Sequence, residues 1–142
     1  MIATWEQYIN TDDFTKLNDF VTHIQNHTKQ NKVCVLYGTG SNGKSTFCNE
    51  LINMIGNDNV VVHGYMPDFN KFKNLSNKNL IIIQEFDKIT LQQINHILQF
   101  MNNADVSSHV SIMIVTNDVN IFKQYNNNHD QLFEIINFNH KF

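Results

Sequence analysis

The chain contains no arginine: all ten basic residues are lysines, set against 13 acidic residues for a net charge of -3. Any contact that elsewhere uses a guanidinium fork must here use a point-charge ammonium, come from another chain, or go unmade. A weakly acidic monomer also lacks the global basic field that spreads a nucleic acid over a protein surface. Cysteine is scarce. Cys34 and Cys48 have no metal-ligand spacing and are too few for a disulfide framework, so a reduced, intracellular compartment is expected. No apolar run approaches the roughly 20 residues that a membrane-spanning helix needs. The start, Met1-Ile2-Ala3-Thr4-Trp5-Glu6, lacks the basic and apolar regions of a secretion signal. A soluble protein with no membrane partner is the expectation. The single proline, Pro67, falls in a polar, irregular stretch from 64 to 79.

What is present begins with Gly38-Thr39-Gly40-Ser41-Asn42-Gly43-Lys44-Ser45, a complete G-x-x-x-x-G-K-[ST] phosphate-binding loop, continued by Thr46. It follows the apolar run Val33-Cys34-Val35-Leu36-Tyr37 and opens a helical pattern from Lys44 to about Ile55. Glycines let the backbone curl until successive N–H groups point inward, making an anion cradle at a helix N-terminus. Lys44 should reach the β- and γ-phosphates of a nucleoside triphosphate, and the Ser45 hydroxyl should ligate Mg²⁺.

At 142 residues the chain can bury a proper core. Residues 1–31 read as an N-terminal helical segment of two helices, and residues 32–142 as the phosphate-loop domain. In the second helix Phe14, Leu17, Phe20, Val21 and Ile24 share one face, and Asp12 or Asp13 is placed to cap it. His23 and His27, four apart, read as a solvated helix face. Gly56-Asn57-Asp58-Asn59 stops the loop-bound helix. Val60 to His63, Leu80 to Ile83, Ser111 to Val115 and Leu132 to Phe138 read as further strands, and residues 90–103 as a helix with Leu91, Ile94, Leu98 and Met101 at helical spacing. Asn126-Asn127-Asn128 reads as a short polar loop. Strands alternating with helices imply an α/β fold: a parallel five-stranded sheet of phosphate-loop NTPase type, flanked by helices, with the loop at a carboxyl edge.

Two more polar clusters follow apolar strands and should project from the same edge. Gln84-Glu85-Phe86-Asp87 comes directly after Leu80 to Ile83. At this place an ATPase sets an acidic pair, one carboxylate toward Mg²⁺ and the next toward the attacking water. Gln84 stands in the metal position and Glu85 in the base position, while Asp87 is placed to cap the following helix or to support the site. The other cluster, Thr116-Asn117, offers an amide able to donate and to accept at the γ-phosphate or the lytic water.

Together these stretches resemble the superfamily 3 helicase ATPase domain, an AAA+-related type found in DNA viruses and mobile elements. Tyr37 to Phe47 is the closest stretch, and its Asn-Gly-Lys-Ser-Thr-Phe wording looks like the viral and phage primase–helicase branch. Asn77 to Glu85 is similar to the second motif of that family, Ile112 to Asn117 to its third, and Ile135-Ile136-Asn137-Phe138 to the strand after its arginine finger. The resemblance runs from about Lys32 to Phe142. It implies ATP and Mg²⁺ as ligands: Gly38, Thr39, Gly40, Ser41, Asn42, Gly43, Lys44, Ser45 and Thr46 around the nucleotide, Ser45 and Glu85 on the metal side, and Lys44, Glu85 and Asn117 as catalytic groups. It also implies a homo-oligomeric ring, hexameric in the family, or a larger replication complex, acting on single-stranded nucleic acid.

Two departures bear on activity. The finger would fall near Asp130-Gln131-Leu132, where no arginine stands; Lys123 and Lys141 are the cations nearest that position. The stretch between Glu85 and the next strand fits one helix, with Lys88 its only lysine, where the family fits a basic β-hairpin. A nucleotide-binding assembly or regulatory module with little hydrolysis is therefore the alternative. A small-molecule kinase, which would want arginines in a lid, is a more distant one. A GTPase is more distant still, because Asn117-Asp118-Val119 lacks the pattern that reads guanine.

Overall fold

The computed structural model describes residues 5–7, 9–26, 32–38, 43–64, 78–84, 89–102, 110–128 and 132–138. Of the expected site residues, Thr39, Gly40, Ser41, Asn42 and Glu85 lie outside this set, as do Asp87, Gln131 and Lys141. The elements are α1 (Thr11–Gln25), β1 (Val33–Tyr37), α2 (Lys44–Ile55), β2 (Val60–His63), β3 (Leu80–Gln84), α3 (Leu91–Asn102), β4 (Ser111–Thr116), α4 (Asn120–Asn128) and β5 (Phe133–Asn137). All five strands are parallel, in the order β2-β3-β4-β1-β5. This is the expected α/β fold.

Parallel strands buried on both faces read as unbroken apolar runs. Accordingly every residue of β4 and the first four of β1 and β3 are buried. Alternate strand residues feed two cores. On one face Cys34, Leu36, Leu80, Ile82, Met113 and Val115 pack with α1 and α2. On the other, Val33, Val35, Ile81, Ile83, Ile112 and Ile114 pack with α3 and α4. Each large apolar side chain so buried contributes roughly 1.5–3 kcal/mol of transfer free energy.

The N-terminal segment belongs to the first core. Leu17, Phe20, Val21 and Ile24 are almost fully buried. Trp5 stacks edge-on against Phe47, lies near Phe138, and donates its indole N–H to Glu50 at 2.6 Å. Among the described residues this segment holds one α-helix and a 3₁₀ turn at 5–7, in place of two helices. The cap of α1 is Asn10, whose side chain accepts from the Asp13 N–H at 2.8 Å, in place of Asp12 or Asp13. Asp13 instead reaches across to accept from the Asn137 N–H of β5 at 2.9 Å, tying helix to sheet.

Two other expectations are corrected. Asn126 to Asn128, read as a loop, are the last turn of α4. Asparagine is a poor helix former, but Phe122 is fully buried beneath the helix and Asn126 clasps the Phe133 backbone, donating to its carbonyl at 2.7 Å and accepting from its N–H at 3.2 Å. Tertiary contacts thus override a weak local preference. The cap position of α3 also differs: Asp87 lies outside the described residues, and Thr90, directly before Leu91, forms a reciprocal capping box with Gln93, at 2.9 and 3.2 Å.

Candidate functional site

The chain order of the sheet selects one place for a ligand. β1 runs into α2 on one face, whereas β4, its neighbour, runs into α4 on the other. Helices departing to opposite faces open a crevice outside the carboxyl ends of these two strands, the switch point where open α/β sheets bind ligands. The register sets Tyr37 beside Thr116 and Gln84 beside Val115, so the ends of β1, β4 and β3 lie nearly level.

Lys44 occupies that crevice. It is the first residue of α2, and its side chain is only 4% exposed. Its ammonium donates to the Gly38 carbonyl, at the start of the loop, and to Asn117 Oδ1 at 3.2 Å, just past β4. Two of the sequence-derived site residues, 73 positions apart, are thereby brought together. Burial pushes the Lys44 pKa below its usual value, and the nearby Cys48 sulfur works the other way. Cys48 itself is pushed up to about 12 by burial, with Lys44 opposing. Cys34, buried beside Glu134, is pushed well above the ordinary thiol range. Both thiols are free, buried and protonated at neutral pH.

The start of α2 is built by Gly43. Its φ of 93° lies in the left-handed region, which glycine reaches without the steric cost a Cβ would add. Among the described residues no side chain caps this helix, and its first turn carries no acid. Its leading N–H groups and the positive end of its dipole therefore stand beside a buried cation. Ser45 and Thr46 follow on that same turn, both exposed.

Asn117 is held by its neighbours: Thr116, which the sequence groups with it, and Asp118, for which the sequence suggests no role at the site. The Thr116 hydroxyl accepts from the Asp118 N–H at 3.0 Å and donates to the Asp118 carbonyl at 3.2 Å. The Asp118 carboxylate accepts from the Asn120 N–H at 3.1 Å and opens α4. The Thr-x-Asp spacing around Asn117 is the local signal for such a turn. Gln84 ends β3 half-buried, two strands from the loop. Lys123 lies exposed on α4 and lines a cleft against β5. Among the described residues, no three His, Cys, Asp or Glu side chains gather to hold a metal on their own, and no helix is long and apolar enough to cross a membrane.

Solved structures similar to this chain share its fold. The apo A-form of the NrS-1 C-terminal region superposes with a TM-score of 0.63 at 12% identity, over 88% of this chain and 34% of that one. A second structure of that region, spanning its residues 305–718, gives 0.57 at 14%, over 87% and 33%. The ORC2 protein of Aeropyrum pernix, solved with ADPNP and ADP, gives 0.51 at 13%, over 93% and 50%. The chain thus spans between a third and a half of the structures it resembles. No curated protein matches it. One family model, described as a methyltransferase domain, matches residues 15–135. By the extent of that match the chain belongs to the family so described, and within it carries a glycine–lysine loop at the switch point of a β2-β3-β4-β1-β5 sheet.

Proposed function

We propose that the chain binds ATP at the β1–α2 loop and hydrolyses it, as a superfamily 3 helicase-like domain of a viral or mobile-element replication apparatus. The observation that carries this reading is the buried Lys44 ammonium, held between Gly38 and Asn117 at the uncapped end of α2. A desolvated cation and a row of helix N–H groups facing one crevice favour a multiply charged anion. In this reading Gly38 to Thr46 wrap the phosphates and Lys44 reaches the β- and γ-phosphates. Asn117 orients the γ-phosphate or the attacking water, and Glu85 takes the proton of that water. Mg²⁺ supplies charge neutralisation across those phosphates. Ser45, exposed in the first turn of α2, offers the hydroxyl that such a hard cation accepts beside phosphate oxygens and water, with Glu85 as the second group. The ORC2 relative was solved with ADPNP and ADP, which supports a nucleotide in this fold.

The absence of arginine from the sequence favours slow turnover. In a ring, the neighbour would face the γ-phosphate with lysine, a point charge without the fork that makes the finger effective. Steady-state assays with and without single-stranded DNA test this: turnover below roughly 1 s⁻¹ is expected. Glu85→Gln should abolish it while ATP affinity stays within a few-fold. If wild-type protein shows no turnover in either assay, the nucleotide-binding module without hydrolysis takes its place.

The family match favours a second reading, transfer of a methyl group, which we take to come from a sulfonium donor such as S-adenosylmethionine. One feature weighs against it: a sulfonium is a cation, which the buried Lys44 repels.

A further inference from the structure

A second concentration of positive charge lies away from the loop. Lys16 of α1, Lys32 just before β1 and Lys123 of α4 line one cleft of about 340 Å³, together with Glu134 and Ile135 of β5. Lys32 stands at the opposite end of β1 from Gly38, roughly 20 Å away at the rise of a strand. Lys32 pairs with Glu134 at 3.5 Å, so that among the described residues lining the cleft three ammoniums face one carboxylate, on a chain whose net charge is -3. Three like charges around a small cleft repel one another and add nothing to folding; an anion between them removes the cost.

The backbone points the same way. β5 is an edge strand, and its even-numbered residues bond to β1, as the pairs Val33 N–H to Leu132 carbonyl and Phe138 N–H to Tyr37 carbonyl show. Phe133, Ile135 and Asn137 therefore turn their peptide groups outward. Asn126 covers those of Phe133, and Asp13 takes the N–H of Asn137. Between these two caps the outward peptide of Ile135 has no cap among the described residues, and Ile135 lines the cleft, where its N–H is available as a donor beside the lysines. One uncovered peptide is too short an edge for a partner strand to extend the sheet. It suits a compact anion. Lysine, unlike arginine, has no fork for carboxylates but is an effective point charge for phosphate.

We infer that this β5 cleft binds phosphate groups, independently of any nucleotide at Lys44. The phosphates could come from a nucleic-acid backbone or from a free polyphosphate, and two probes separate these sources. The full chain is titrated with a fluorescent single-stranded 12-mer and, separately, with inorganic tripolyphosphate. Both titrations are run without nucleotide on the wild type and on Lys44→Ala, in which the loop has lost its lysine. The expected result is binding of at least one probe that survives Lys44→Ala. That binding should weaken about tenfold or more in Lys16→Gln/Lys123→Gln and recover in Lys16→Arg/Lys123→Arg. For the oligonucleotide, the salt slope should fall by about 1.4, at about 0.7 per lost contact on a single strand. Both lysines are exposed, so the variants should melt with the wild type. The inference is overturned if neither probe binds, if binding is unchanged in the glutamine variant, if it vanishes with Lys44→Ala, or if poly-glutamate competes as well as the probes.

Discussion

Two helices leave neighbouring strands at the same edge of the sheet and begin in opposite ways. α4 starts on a side chain: the Asp118 carboxylate accepts from the Asn120 N–H, so a negative group sits where the helix dipole wants one. α2 starts on Gly43 with no side-chain cap, no acid in its first turn, and a buried lysine as its first residue. α1 and α3 follow the pattern of α4, capped by Asn10 and by the Thr90–Gln93 box. Folding alone gives no reason to leave one helix uncapped and to bury a cation at its positive end. The difference is what the proposed function uses: α4 is closed by the chain, and under that proposal α2 is closed by an anion from outside.

Erasing the difference between the two helices should have the largest effect. Asn117→Asp would place a carboxylate 3.2 Å from the Lys44 ammonium, giving α2 an internal anion. The apo protein should melt higher, while ATP affinity should drop tenfold or more because the phosphate must displace a buried ion pair. Differential scanning fluorimetry and calorimetry would read the two opposite signs. A loss of both stability and affinity would contradict the proposed anion site at Lys44.

A smaller effect comes from pH. Because the folded state lowers the Lys44 pKa, the unfolded chain holds more protons between that lowered value and 10.5. This group alone therefore lets stability rise with pH through that window. Bound triphosphate restores the ammonium. ATP binding should take up protons as pH approaches the lowered pKa, and affinity should fall once pH passes it. Titration calorimetry in buffers of different ionisation heat measures that uptake; no uptake anywhere below pH 10.5 would contradict it.

The smallest effect belongs to the capped helix. Asp118→Ala should cost about 1 kcal/mol, the worth of an N-cap. It should also slow any turnover modestly, by loosening the turn that carries Asn117, without changing ATP affinity more than a few-fold. Chemical denaturation and a hydrolysis assay check the two halves. An affinity loss as large as that of Asn117→Asp would erase the distinction between the helices.

Much of this arrangement is legible in the residues. Runs such as Leu80 to Ile83 and Ile112 to Val115 can only be strands buried on both faces, and the loop names its own helix at Lys44–Ile55. α4 is hidden because its sequence is rich in asparagine, and what holds it, Phe122 in the core and Asn126 on Phe133, is tertiary. Asp13 reads as a helix cap because local chemistry allows it, but its partner, Asn137, is 124 residues away. The Lys44–Asn117 contact depends on β4 lying beside β1, and strand order has no local signature.

The central claim is that Lys44 awaits a triphosphate. Calorimetric titration of wild type and Lys44→Ala with Mg-ATP, and of wild type with S-adenosylmethionine, tests it most directly. Expected are saturable ATP binding to the wild type, loss of at least about 100-fold in the variant, as follows from removing a charged hydrogen bond of roughly 3 kcal/mol, a melting temperature in the variant no lower than in the wild type, and no heat with S-adenosylmethionine. ATP affinity that survives Lys44→Ala, or binding of S-adenosylmethionine without ATP, would contradict it.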